Sequence, residues 1–510
     1  MTRLAKNIIY NILGQGLTFV MLFVAVRYIF KQLGEDALGI IYFANMMNAL
    51  ICGVLEMGIS STTVREVSAH FQTGMSYIRD LSRTFSLFFW GAFIIIGVGI
   101  YFLAPMIVRQ WIQLKTMDEA TAIYILRILG IASITALPKA FYVSLLRGLE
   151  RMEFNNLIDI GTIGLQQGGT IVILALGGSL LQVVYWIAAC YVLAICIYLF
   201  AAIQFFTWQA MIPGCSLTVV RKNLGFASKM MFISITGAVL IYTDKVILSK
   251  LLPIGIFGYY CFAYNVVSKG SLLTIAISQA AYPAFSSLYQ AGDHAGMMVK
   301  YRKVQDLVCI GSAPLFAAIP FAALPFFSFV LNEQAAQLLL LPATLLAVGF
   351  YLNGILALPY YFALAAGKPE VLVRQRLLDM FITPAATVFL VYHYSLVGAG
   401  LSLVLCYSLY FFYSIPRICS LCLKLPAWKW YLHAAKIFLL TGVTFGGAWL
   451  ILGALPDPRS VAFLTLGYTG ALVVFLAGVY FIISPELRQS LLPYLRRDGW
   501  AVPKIRESGS

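Results

Sequence analysis

Lys269 stands about fifteen residues into an apolar run that begins near Ile254, too deep for its side chain to reach either end easily. Arg27, Arg127, Lys139, Lys245 and Lys436 also fall inside apolar runs, with Asp244 directly before Lys245. If these runs cross a bilayer, each charge costs a few kcal/mol on insertion scales and must be paired, snorkelled to an interface or turned to a wet cavity. Arginine offers carboxylate or phosphate oxygens a planar fork and lysine a point charge, so cations left in such a cavity would hold an anion. Arg27 and Lys245, near the outer ends of their runs, either line that cavity or snorkel outward. Lys139 lies toward the same end as Glu56 and Asp159, where it serves either as a structural ion-pair partner or as a functional contact. Asn11 and Gln15 can hydrogen-bond hydroxyl groups or bridge helices. The candidate anion-contacting set is thus Lys269, Arg27, Lys245, Asp244, Lys139, Asn11 and Gln15, with Glu56, Asp159 and Asp244 as candidate coupling or gating carboxylates. Arg127 and Lys436 lie close enough to the ends of their runs for topology alone to explain them.

No catalytic pattern competes with this reading. The chain has no phosphate-binding Gly-Lys-Ser/Thr loop, no Gly-x-Ser-x-Gly elbow and no metal-spaced set among its four histidines and nine cysteines. It reads as a protein that moves or holds something and not as an enzyme. No cofactor or metal is implied; any movement is expected to draw on an ion gradient, with H+ or Na+ as the candidate coupling ion, on the membrane potential or on the substrate's own gradient.

Long apolar helices must position these charges. With 61% hydrophobic and 11% charged residues and a mean hydropathy of +0.88, the chain has too little polar surface to fold in water. A bilayer core of about 30 Å needs roughly 20 apolar residues per helix. Fourteen such runs fit, among them 8–30, 37–59, 121–146, 155–177, 225–250, 254–285, 371–393 and 396–423. The first, lacking a small-residue cleavage site, is expected to be a span and not a removed signal peptide. With both termini placed in the cytoplasm, twenty-four Lys and Arg fall in cytoplasmic segments and five on the opposite face, the asymmetry of a multi-pass protein. The net charge of +15 therefore reports topology and not nucleic-acid binding.

The runs also repeat. Arg27 to Leu33 followed by Gly39 to Ala44 matches Lys245 to Leu251 followed by Gly258 to Ala263, and Leu137-Pro138 with Asp159 matches Leu358-Pro359 with Asp379, both offset by about 220 residues. Six intervening spans leave the two copies in the same orientation, a parallel repeat with a binding site expected between its halves. The expected organisation is an N-terminal six-helix lobe at 1–210, a C-terminal six-helix lobe at 211–424, two further helices within 425–485 and a cytoplasmic tail at 486–510. Pro138, Pro314, Pro320, Pro325, Pro342 and Pro359 are candidate bending points.

Three stretches carry a family likeness. Asn7 and Asn11 to Gly14 open the first span and lead to Leu33-Gly34; Leu55-Glu56-Met57-Gly58 precedes Arg65-Glu66; and Asp244-Lys245 precedes Gly258-Tyr259. With fourteen spans in two lobes, the chain resembles the polysaccharide-transporter branch of the MOP (multidrug/oligosaccharidyl-lipid/polysaccharide) exporter superfamily, the Wzx-type flippases of O-antigen and capsule repeat units. It departs from that pattern at Glu56, where Asp is usual, and at Leu252-Pro253, where Leu-Gly is common. The resemblance implies a MATE-like, all-α fold in the bacterial inner membrane. The implied activity is flipping an undecaprenyl-pyrophosphate-linked oligosaccharide to the outer leaflet through a cationic cavity between rocking lobes, as in lipopolysaccharide assembly. Implied partners are that polyprenyl-pyrophosphate-linked glycan, the lipid bilayer and a polysaccharide polymerase or chain-length protein. A lipid II flippase, an ion-coupled multidrug exporter of the same superfamily and a non-transporting scaffold are the alternatives.

Overall fold

A computed structural model describes residues 3–71, 74–368, 370–454, 460–485 and 487–488. The expected tail at 486–510 lies almost wholly outside them, as do the side chains of Asn11, Gln15 and Glu56. Among the described residues every regular element is helical, joined by short turns and loops, with one isolated bridge between Gln113 and Pro253. In hydrocarbon no water satisfies an open N–H or C=O, so a chain this apolar must close its hydrogen bonds within each segment.

In order the helices are α1 (Arg3–Leu33), α2 (Glu35–His70), α3 (Met75–Gln110), α4 (Glu119–Ile134), α5 (Ala136–Gly148), α6 (Met152–Ala175), α7 (Leu180–Phe205), α8 (Trp208–Met211) and α9 (Leu217–Leu251). There follow α10 (Ile254–Ser268), α11 (Ser271–Gln290), α12 (His294–Val330), α13 (Glu333–Ala365), α14 (Glu370–Ile418), α15 (Ala427–Thr441), α16 (Gly447–Gly453) and α17 (Val461–Ile482).

Twelve of the described helical stretches are long and apolar enough to cross a membrane, or thirteen when the bent pair α10 and α11 counts as one span. One of the twelve, Glu370–Leu423, runs for 54 residues. Straight, it would extend about 80 Å at 1.5 Å per residue, far more than a bilayer core. Ser395 interrupts it with φ 53° and ψ −130°. Three residues later Gly398 packs on the preceding turn so closely that a Cβ would lie 2.7 Å from the Val391 nitrogen. The chain turns back here, so α14 is not one straight span; the described residues show twelve to thirteen candidate spans against the fourteen expected from sequence.

The prolines behave differently from one another. Pro138 lies just inside α5, and the helix breaks at Thr135, as expected where a proline ring meets the preceding turn. Pro314, Pro320 and Pro325 leave α12 continuous, and Pro342 and Pro359 leave α13 continuous.

By contact density the chain forms two compact units. The first comprises Met1–Tyr264, Phe326–Pro342 and Leu377–Ser402; the second comprises Asn265–Pro325, Ala343–Arg376 and Leu403–Ser510. Lobes drawn from the repeat rest on sequence equivalence, a different property. The core of the first unit gathers Phe85, Phe89, Phe141, Tyr142, Leu145 and Tyr198 from α3, α5 and α7. In that unit α2 packs along α9 and α5.

The sequence-equivalent glycines of the repeat face one another within this unit. A Cβ on Gly258 would lie 2.9 Å from the Cα of Gly39, and a Cβ on Gly39 would lie 2.5 Å from the carbonyl carbon of Ile254, closer still to its oxygen. Equivalent positions meet only at the axis relating two copies, so this contact is where such an axis would pass between α2 and α10.

Candidate functional site

Each deep charge has a distinct environment. On α9, Lys245 and Asp244 are buried together, with the Lys245 Nζ 3.2 and 3.3 Å from the Asp244 carboxylate oxygens and 3.0 Å from the Ile241 carbonyl oxygen. The Tyr260 hydroxyl donates to Asp244 at 2.7 Å, and the Tyr264 ring centroid lies 3.3 Å from the ammonium. A lysine so enclosed is neutralised by its neighbour, which is how a buried cation is tolerated. Arg27 on α1 is half-buried, its guanidinium carbon 3.9 Å from the Phe329 ring centroid, and among the described residues no carboxylate pairs with it. A cation–π contact of this kind holds the planar group while leaving its edge donors available.

Lys139 on α5 binds Asp159 on α6 at 2.8 Å, with the Tyr198 ring 5.2 Å away. Both side chains are partly exposed, so this structural-type pair contributes little to stability. Glu56, Asn11 and Gln15 lie outside the residues with described side chains.

Lys269, in the second unit, is exposed at the break between α10 and α11, where the axis bends by 40°. The break follows local packing: a Cβ at Gly270 would lie 2.8 Å from the Phe316 ring. No carboxylate pairs with Lys269 among the described residues.

Three charged clusters escaped the sequence reading as functional groups. Near the end of α2, Glu66 is buried and accepts from Arg65 at 2.9 and 2.5 Å and from the Tyr77 hydroxyl of α3 at 2.9 Å, with Lys222 of α9 at 3.4 Å. Asn223 of α9 closes the network, accepting from Arg65 at 3.2 Å and donating to Tyr77 at 3.0 Å. Burial alone would raise the Glu66 pKa, but the Arg65 and Tyr77 hydrogen bonds and the Lys222 charge outweigh it and hold the carboxyl below the ordinary glutamate value. Arg65-Glu66 was visible as a motif; its partners 11 and more than 150 residues away were not.

At the other end of α2, one Asp36 oxygen accepts the N–H groups of Lys115, Thr116 and Met117 at 2.8, 2.6 and 3.0 Å. Three successive amides converging on one carboxylate form an anion nest. Beside it the Tyr259 hydroxyl donates to Glu35 at 2.8 Å, and Trp111 donates to Ser249 of α9 at 3.0 Å. Helices α2 and α9 are therefore tied directly at the Glu66 end, whereas at the Asp36 end each bonds to the loop that follows α3. In the second unit, the buried Asp306 of α12 meets His433 Nε2 of α15 at 2.5 Å and the Ser484 N–H at 2.8 Å.

Long apolar helices, a broken span and charges held at depth mark a multi-pass membrane protein. The profile of the family described as "Polysaccharide biosynthesis protein" matches residues 4–289, more than half of the chain. The chain belongs to that family. It is 19% identical over 401 residues to a Shigella flexneri protein named "Putative O-antigen transporter", covering 78% of this chain and 93% of that one. Among solved structures, the inward closed lipid II flippase MurJ overlays with a TM-score of 0.72 at 12% identity, covering 96% of this chain and all of that one. An inward-facing multidrug resistance MATE family transporter of the MOP superfamily overlays with a TM-score of 0.63 at 14% identity, covering 80% of this chain and 95% of that one. These structural likenesses establish the MOP fold.

Proposed function

We propose that the chain flips an undecaprenyl-pyrophosphate-linked oligosaccharide repeat unit from the cytoplasmic to the outer leaflet of the bacterial inner membrane. The lobes at 1–210 and 211–424 alternate between the two sides, both termini stay in the cytoplasm, and the substrate's phosphates or acidic sugars engage Lys269 and Arg27. Lys245 joins them once Asp244 releases it, while Glu66 locks α2 to α9 and Asp36 holds α2 to the loop after α3.

The observation that carries this reading is Lys269: an exposed ammonium without a carboxylate partner among the described residues, at a 40° break in an otherwise apolar span. A cation kept there at a cost of a few kcal/mol is explained by an anion that visits it. Family membership supports a glycan as the cargo, and the fold likeness supports a transporter architecture.

Lys269→Ala is expected to abolish surface glycan in a strain whose own flippase is deleted, while reaching the membrane at wild-type level. Normal export by a well-expressed Lys269→Ala protein would remove Lys269 from the mechanism. A second reading, the flipping of lipid II, is kept by the overlay on MurJ along the whole of that chain. Complementation of a strain depleted of its lipid II flippase separates the two, because only the second reading restores growth.

A further inference from the structure

The second unit contains a cavity of about 310 Å³ walled by α11, α13 and α14, away from the residues assigned above. Among the described residues Arg376 is the only charged side chain on its wall, and no carboxylate pairs with it. Around it stand Tyr360, Tyr361, Tyr410, Asn353 and Gln375. The Tyr360 and Tyr361 rings are nearly perpendicular, with centroids 5.4 Å apart, so they present two differently oriented aromatic faces. Gln279 fixes the Tyr361 hydroxyl by donating to it at 3.0 Å, and the buried Ser414 donates to the Gln375 carbonyl oxygen, which leaves the amide N–H groups of Gln375 as the donors available for a ligand.

We propose that this cavity binds one acidic sugar residue, a hexuronate or its chemical equivalent, within the glycan. The proposal rests on the polysaccharide reading given above and names a recognition subsite for it. Ligand pockets run from about 300 Å³ upward, so this one accommodates a small ring and not a long lipid chain or an extended oligosaccharide. Arg376 supplies the planar fork that matches a carboxylate. Tyrosine faces suit the C–H face of a pyranose, and two side-chain amides suit its hydroxyls. A lipid tail would need no arginine, and a bare inorganic anion would need no aromatic walls.

Saturation-transfer NMR on the purified full-length protein, with glucuronate, methyl glucoside and inorganic phosphate as separate probes, tests the assignment. Glucuronate ring protons are expected to receive saturation, methyl glucoside much less. Arg376→Gln should weaken glucuronate binding by about tenfold or more, the scale of one charge-assisted pair, and Arg376→Lys by less. Tyr360→Ala, at an exposed wall position, should weaken it without touching the charge. Equal glucuronate signals from wild type, Arg376→Gln and Tyr360→Ala would overturn the proposal. So would complete displacement of glucuronate by equimolar phosphate, which would mean an anion site indifferent to sugar. In cells exporting a uronate-containing glycan, Arg376→Gln should reduce export while a uronate-free glycan passes normally. Failure of wild-type protein to export either glycan would refute the flippase reading instead, and the two failures are thereby distinguished.

Discussion

Replacing Gly39 with alanine places a methyl group 2.5 Å from the carbonyl carbon of Ile254, with the carbonyl oxygen nearer still. Carbon atoms in good contact sit about 3.5–4.0 Å apart, so the two helices must separate there by roughly 1 Å. The obstructing atoms are backbone and cannot rotate aside. Overpacking of this kind costs about 1–3 kcal/mol, and a backbone obstruction belongs at the upper end. About 3 kcal/mol changes an equilibrium roughly a hundredfold, enough to disfavour any conformation in which α2 and α10 touch. Gly91→Ala on α3 is the matched control, because its added methyl group meets nothing within 4 Å and glycine in a helix is less favourable than alanine by about 1 kcal/mol. Thermal denaturation of both variants in one detergent, alongside glycan export, makes the comparison. Gly39→Ala should melt earlier than wild type and export poorly, while Gly91→Ala matches or exceeds wild type. If Gly39→Ala melts with Gly91→Ala and exports normally, the idea that repeat-equivalent glycines meet at a fixed closed contact fails.

Three other outcomes are expected. Because the folded-state pKa of Glu66 is lowered, its network stabilises the protein above the ordinary glutamate value of about 4.3 and loses that contribution as pH falls through the lower folded value. The thermal-stability gap between wild type and Glu66→Gln should thus persist through neutral and mildly acidic pH and close only below about pH 4; a gap that closes near pH 6 would contradict this. Tyr260→Phe removes a donor to the buried Asp244 carboxylate and should cost about 1.5–3 kcal/mol, read as a lowered denaturation midpoint. Ser395→Gly relieves a left-handed residue and should be neutral or stabilising by about 1 kcal/mol, whereas Ser395→Pro, locked near φ −65°, should prevent accumulation of folded protein.

What the sequence disclosed follows the range of the interactions involved. Apolar runs bounded by charges mark spans one at a time, so the reversal between 393 and 396 could be placed to within a residue or two of Ser395. The Lys139–Asp159 pair, 20 residues apart across one helix turnaround, was already among the options that the residues suggested. Asp36 was opaque, since its three amide partners lie about 80 residues away in a loop with no compositional signal. Proline was ambiguous for a physical reason: neighbouring helices and water can satisfy the groups a proline frees, so Pro138 coincides with a break and Pro314, Pro320 and Pro325 do not. The cavity beside Arg376 draws on three helices separated by as much as about 140 residues, and no local pattern announces it.

The pairing of Lys245 with its own neighbour in sequence has a consequence for turnover. Under the proposed function Asp244 is a resident competitor: an incoming phosphate or carboxylate gains only the difference between its own attraction for the ammonium and the attraction it displaces. Such an exchange weakens retention. A carrier that must let go of a densely charged headgroup on the far side gains from that weakness, because the aspartate is on hand to reclaim the lysine as the headgroup leaves.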